Sequence, residues 1–158
     1  MDYKVEKKES FTVLANEKEF QYETAKQEIP KFWQEHYVLG KGKFVCGMYG
    51  ICIDEDMGKK TFKYLIADPY DQTKAVPDGM TVRTIPAFTW AIFPCKGALP
   101  KALQDNNAKI NCEWLPATKE YELAADYCVE MYDDPLKYKK GTMDENYYTE
   151  IWIPVKRK

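Results

Sequence analysis

Apolar positions along this chain follow two periods, and the segments that carry them take turns. Residues 10–20 open with Phe11-Thr12-Val13-Leu14 and predict a strand. Over 29–37 the apolar residues are Ile29, Phe32, Trp33 and Tyr37, a helical spacing, and Gly40 ends it. Residues 45–53 and 61–70 predict a strand pair around a turn at 54–60. Residues 81–93 form a further strand rich in β-branched and aromatic side chains. Leu99, Leu103, Ile110 and Trp114 then make a second helical stripe, with Pro100 suited to its first turn and Pro116 at its end. Residues 127–132 and 147–155 close the chain as two strands. Gly40-Lys41-Gly42, Asp56-Met57-Gly58, Pro77-Asp78-Gly79 and Lys140-Gly141 are turn signals.

The order is strand, helix, strand, strand, and then the same again. Phe11-Thr12 matches Phe88-Thr89, Ile29-Pro30-Lys31 matches Leu99-Pro100-Lys101, and Met48-Tyr49 matches Met131-Tyr132. The expectation is one α+β domain over 1–158, built from pseudo-repeats at about 1–75 and 76–158, with antiparallel sheet and two main helices. As the partner of Pro100, Pro30 is expected in a helix first turn, where its missing N–H is harmless.

The chain has 158 residues, the size of one ordinary domain, and 45% hydrophobic residues suffice for a core. The net charge of −2, with no basic run beyond Lys156-Arg157-Lys158, argues against direct nucleic-acid binding. No apolar stretch approaches bilayer length, and the charged start Met1-Asp2-Tyr3-Lys4-Val5-Glu6 has no signal segment, so a cytoplasmic location without membrane contact is expected. Cys46, Cys52, Cys95, Cys112 and Cys128 contain no Cys-x-x-Cys pair, which speaks against a disulfide framework or zinc site. They read as small buried hydrophobes, with Cys46 and Cys52 on one face of a strand. The single histidine, His36, reads as a helix-face residue. No metal and no cofactor are expected.

Alternation sorts the last strand into two faces. Thr149, Ile151, Ile153 and Val155 are expected to pack on the helices, leaving Tyr148, Glu150 and Trp152 on the other face. The preceding strand divides into Tyr127, Val129 and Met131 on the packed side and Cys128, Glu130 and Tyr132 opposite. If the strands pair, Glu130 and Glu150 would share a face with Tyr132, Tyr148 and Trp152. Neighbouring carboxylates repel, a bound cation relieves that penalty, and aromatic faces attract cations and flat apolar bodies. A solvated antiparallel face has the same parity, so parity alone leaves both readings open.

Further residues carry a resemblance. Phe93-Pro94-Cys95-Lys96-Gly97-Ala98-Leu99-Pro100, Glu113-Trp114-Leu115-Pro116, Tyr121-Glu122-Leu123, Val129-Glu130-Met131-Tyr132 and Tyr148-Thr149-Glu150-Ile151-Trp152-Ile153-Pro154-Val155 occur in this order. With Ile29-Pro30-Lys31-Phe32-Trp33 and Tyr49-Gly50-Ile51, the chain resembles the gyrase-inhibitor-like small-molecule-binding domain, or AraC-type effector-binding domain, over nearly its whole length. The resemblance implies two strand-helix-strand-strand modules with a central ligand cleft. The family's best-known regulators carry a helix-turn-helix DNA-binding domain before the effector domain; this chain departs from them in that its first strand begins within about ten residues of Met1, so a stand-alone form is expected.

By the same resemblance, Glu130 and Glu150 are the candidate cation anchors, and Tyr49, Trp90, Tyr132, Tyr148 and Trp152 the candidate aromatic ring. The ligand class expected is an amphipathic small molecule, a lipophilic cation or a planar aromatic. Two alternatives come with the family. One is a hydrolase of cyclopropane-bearing genotoxic compounds, with Glu130, Glu150 and Tyr132 as acid–base groups. The other is a gyrase-interacting protein. No Ser-His or Cys-His pair points to covalent catalysis.

Overall fold

The computed structural model describes residues 1–55 and 59–158. The expected turn at Asp56-Met57-Gly58 lies outside them. The elements in chain order are β1 (Lys4–Lys8), β2 (Phe11–Gln21), α1 (Ala25–Val38), β3 (Tyr49–Ile53), β4 (Thr61–Pro69), β5 (Thr81–Ile85), β6 (Phe88–Lys96), α2 (Lys101–Lys109), β7 (Tyr121–Leu123), β8 (Tyr127–Tyr132) and β9 (Tyr148–Arg157). The fold is α+β, with antiparallel strands and two main helices.

The chain divides into two compact units, Glu9–Ala87 and Met1–Lys8 with Phe88–Lys158. In the first, the strands run β3-β4-β2-β5; in the second they run β1-β6-β9-β8, with β7 also pairing β9. Each unit therefore traces strand, helix, strand, strand in the same spatial order, the duplication that the sequence predicts. The edge strands are exchanged along the chain. β1 leads into β2 but pairs with β6, and β5 leads into β6 but pairs with β2.

In the unit Glu9–Ala87, α1 buries Ala25, Phe32 and His36, a helical spacing, and of these Ala25 and Phe32 pack with Leu14, Phe20, Phe62, Tyr64 and Ile66. Each fully buried side chain of Phe or Ile size contributes about 1.5–3 kcal/mol. The helix starts four residues before Ile29, so Pro30 lies inside it and not in its first turn. The cause is Thr24, whose carbonyl accepts from the amides of Gln27 and Glu28 and begins the helix in a polar stretch with no apolar stripe. Pro30 then forfeits one intrahelical hydrogen bond.

The loop before β3 is held by Asp68, whose carboxylate accepts from the amides of Cys46 (2.7 Å), Gly47 (2.9 Å) and Met48 (2.9 Å). Gly47 has φ +92°, and a Cβ there would stand 2.5 Å from the Trp33 ring. Cys46 belongs to this loop and is exposed, so it does not share a strand face with Cys52. Cys112 is exposed as well; Cys95 alone of the five is fully buried.

In the other unit, Ala91, Phe93, Leu103, Ile110, Ile151, Ile153 and Val155 form the core beneath α2. The helix runs on through a π-turn, Ile110–Trp114, and a last turn, Leu115–Ala117, so Pro116 lies within its final turn and the chain turns extended at Thr118. The strand expected over 81–93 is two strands, because Pro86 cannot donate to a ladder and breaks the pairing between Ile85 and Phe88. The strand β1 is short, exposed and rich in charge, and β7 is three residues long with only Tyr121 buried, so the hydrophobic pattern does not announce them.

Candidate functional site

The helix-side face of β9 carries Thr149, Ile151, Ile153 and Val155, all buried, as alternation requires. Its other face carries Tyr148, Glu150 and Trp152. β6 adds Trp90, Ile92 and Pro94 to that face, through the register Trp90↔Pro154, Ile92↔Trp152 and Pro94↔Glu150.

Glu150 is the centre of this face. Its Oε2 accepts from the Tyr148 hydroxyl at 2.7 Å and its Oε1 from Trp152 Nε1 at 2.9 Å. Both donors are neutral, and both sit two residues away, which the strand period places on the same side. No ion pair reaches Glu150 among the described residues. The carboxylate is thus oriented but not neutralised. Burial and the hydrogen bond to Glu150 push the Tyr148 phenol up to about 12, so it stays protonated and donating. Trp90 is fully buried and packs edge-on against Trp152, with ring centres 6.0 Å apart. It backs the indole and is not itself open to solvent. A hollow of about 310 Å³ adjoins, lined by Tyr148, Glu150, Ile92, Pro94 and Lys4 from the sheet and by Asp2 and Tyr3 ahead of β1.

Glu130 lies elsewhere. The register pairs Glu130 with Ile151 and Met131 with Glu150. Directly opposed residues of an antiparallel pair share a face, so Glu130 lies on the helix side of the sheet and Glu150 on the other. The expected single face with both glutamates is not formed. The assignment of Tyr127, Val129 and Met131 to the helix side is reversed too: Cys128 and Tyr132 pack on the helix-side core. The parity within β8 is as expected, but its register against β9 is set by pairing, which alternation within one strand does not report. Glu130 forms its own cluster there, accepting from the Tyr132 hydroxyl at 3.0 Å. Burial and the nearby Glu130 carboxylate push the Cys128 thiol up, which disfavours the thiolate a nucleophile would need.

Tyr49 belongs to the unit Glu9–Ala87, on the face of β3 away from α1, with its ring 5.9 Å from that of Phe11. The residues that sequence reasoning missed are on β1. Lys8 places its Nζ 4.8 Å from the centre of the Trp152 ring and 3.0 Å from Glu6 Oε2. The alternation Lys4, Glu6, Lys8 was the available signal, because charged edge strands are how sheets avoid unwanted pairing.

Among the described residues, no group of three or more His, Cys, Asp or Glu side chains could hold a metal ion, and no helix is long and apolar enough to cross a membrane.

Comparison with known proteins adds to this geometry. The protein SAV2435, solved bound to tetraphenylphosphonium, is 26% identical and superimposes with a TM-score of 0.85 over 99% of this chain and 94% of its own. A Staphylococcus aureus MU50 protein described as a bacterial transcription regulation protein is 25% identical, with a TM-score of 0.80 over 99% of both chains. The transcriptional regulator BrlR of Pseudomonas aeruginosa is 28% identical over 132 residues, 80% of this chain. The chain spans about half the length of that relative, 46%. The family described as integron-associated effector binding protein matches residues 4–155. The chain belongs to this family of effector-binding proteins.

Proposed function

We propose that this chain binds an amphipathic small molecule, a lipophilic cation or planar aromatic compound, with Glu150 as the charge anchor. The observation that carries the reading is the Glu150 carboxylate, fixed by two neutral aromatic donors and neutralised by no ion pair among the described residues. A bound cation would supply the missing charge. The tetraphenylphosphonium bound to SAV2435, a lipophilic aryl cation, supports the ligand class. The cysteines are all free, which fits a reducing compartment, the cytosol.

A charge close to a partly buried carboxylate contributes about 1–4 kcal/mol at intermediate effective dielectric. The test is isothermal titration with tetraphenylphosphonium and with neutral triphenylphosphine oxide. Glu150→Gln keeps the shape and removes the charge. It is expected to weaken the cation about tenfold or more, since 1.4 kcal/mol is a factor of about ten, and to leave the neutral compound nearly unchanged. Equal affinities of wild type and variant for the cation would overturn the reading.

A further inference from the structure

We propose that the Lys8 ammonium is a built-in competitor for the cation position on Trp152, and that it sets which cations the site accepts. This rests on the reading of Glu150 as the charge anchor.

The register of β1 places Lys4, Glu6 and Lys8 across from Ile92, Trp90 and Phe88, on the same face as Glu150 and Trp152. Lys8 is folded onto that face: its side chain is 32% exposed, against 62% for Lys4. Its ammonium lies within cation–π range of the indole. That same indole donates its N–H to Glu150. Trp152 is only 7% exposed, so a cation that is to sit on the indole must displace a side chain that covers it, and Lys8 is one such side chain.

A tethered cation has an advantage over a free one. It loses no translational freedom on docking, and its effective concentration is on the order of millimolar. A small primary or quaternary amine exchanges one compact charge for another and gains little. A bulky aryl cation brings apolar area to the indole and Tyr148 that the lysine cannot offer, and its charge is weakly hydrated. Displacing Lys8 breaks no β1–β6 backbone pairing and leaves the ammonium to water and to Glu6, its ion-pair partner at 3.0 Å already. The lysine therefore raises the threshold for small cations more than for large aromatic ones.

Lys8→Met tests this, because it keeps the aliphatic stem over the ring and removes the charge. The probes are benzyltrimethylammonium and tetraphenylphosphonium, titrated calorimetrically. Lys8→Met should tighten benzyltrimethylammonium about threefold or more and tetraphenylphosphonium by less, narrowing the ratio between them. Lys7→Met is the control, since it removes the same charge from an exposed side chain on the other face of β1. It should leave both affinities unchanged; equal tightening in both variants would mean an overall charge effect and would overturn the inference. So would Lys8→Met values equal to wild type while Glu150→Gln still loses tetraphenylphosphonium, a result that leaves the anchor intact. If no form binds either cation, or Glu150→Gln binds as wild type does, anchor and competitor fail together. Should Lys8→Met not fold by thermal melting, Lys8→Gln carries the same comparison.

Discussion

Glu130 stands across from Ile151 in the β8–β9 pair, and Glu150 stands across from Met131. One residue of register thus sends the two carboxylates to opposite faces of the sheet. Each has its own tyrosine donor, Tyr132 for Glu130 and Tyr148 for Glu150. The two do not repel across a shared cup, and a ligand on one face has no direct contact with the other acid.

The two glutamates should therefore respond unequally to the same substitution. Glu150→Gln is expected to weaken tetraphenylphosphonium about tenfold or more, and Glu130→Gln by less than about threefold. Titration calorimetry of both variants in one buffer decides it. Equal losses would mean that both acids face one ligand, against the observed register.

Much of the fold was legible because the periodicities were strong. The α1 stripe, the β9 alternation and the internal repeat all follow from short-range spacing, and short-range spacing is what a sequence displays. Three features were not legible, each for a physical reason. The inward position of Pro30 depends on a polar helix start at Thr24, which carries no apolar stripe. β1 is stabilised by pairing with β6, not by its own composition. The register of β8 against β9 is a long-range choice, fixed by burying Val129 opposite Trp152 and by seating Cys128 and Tyr132 on the helix-side core. Alternation identified Glu150, Tyr148 and Trp152 as one cluster correctly; it could not say where Glu130 would stand.

The Tyr148 phenol bears on the alkaline side of binding. Burial and the Glu150 hydrogen bond hold it protonated up to about 12. An ordinary phenol titrates near about 10 and would begin to lose its donor below that. Cation affinity should accordingly stay flat from about pH 7 to about pH 10 for a permanent cation, with Tyr148 still donating to Glu150. Ultraviolet difference titration of wild type against Tyr148→Phe reads the phenol directly. A Tyr148 transition near the ordinary value would sink this expectation.

Asp133 makes a separate prediction for acid. The Tyr138 hydroxyl donates to its Oδ2 at 2.8 Å, Lys137 lies 3.2 Å from its Oδ1, and Tyr147 donates to its backbone carbonyl at 2.6 Å. The Tyr138 hydrogen bond, chiefly, holds the carboxyl below its ordinary value of 3.8. A carboxyl with a depressed folded pKa stabilises the fold fully above its unfolded value and loses that contribution as pH falls through the folded one. The stabilisation should be present above about pH 4 and fade below it. Thermal midpoints measured from about pH 5 to about pH 2 should fall less steeply for Asp133→Asn than for wild type. Identical slopes would mean that the Tyr138 hydrogen bond does not discriminate between the two protonation states.

His36 supports the unit Glu9–Ala87 and not the Glu150 cluster. The side chain is 1% exposed on α1. Its Nδ1 accepts from Asn16 Nδ2 at 3.0 Å, and its Nε2–H donates to the Val45 carbonyl at 2.8 Å. Those complementary roles correspond to the tautomer with its proton on Nε2. Both partners are buried as well, Asn16 at 5% and Val45 at 0% exposure. Phenylalanine at this position would fill much of the same space but leave an amide donor and a carbonyl acceptor without partners. Each such orphan costs about 1–3 kcal/mol, so His36→Phe should lose about 2–4 kcal/mol in urea unfolding at an unchanged m-value. Asn16→Ala removes one of the two bonds and should lose less. The cation affinity of the folded His36→Phe protein should match wild type, since the Glu150 cluster lies wholly in the other unit. A His36→Phe protein within about 0.5 kcal/mol of wild type would show that neither bond contributes net stability, and that the imidazole acts there only as a filler of volume.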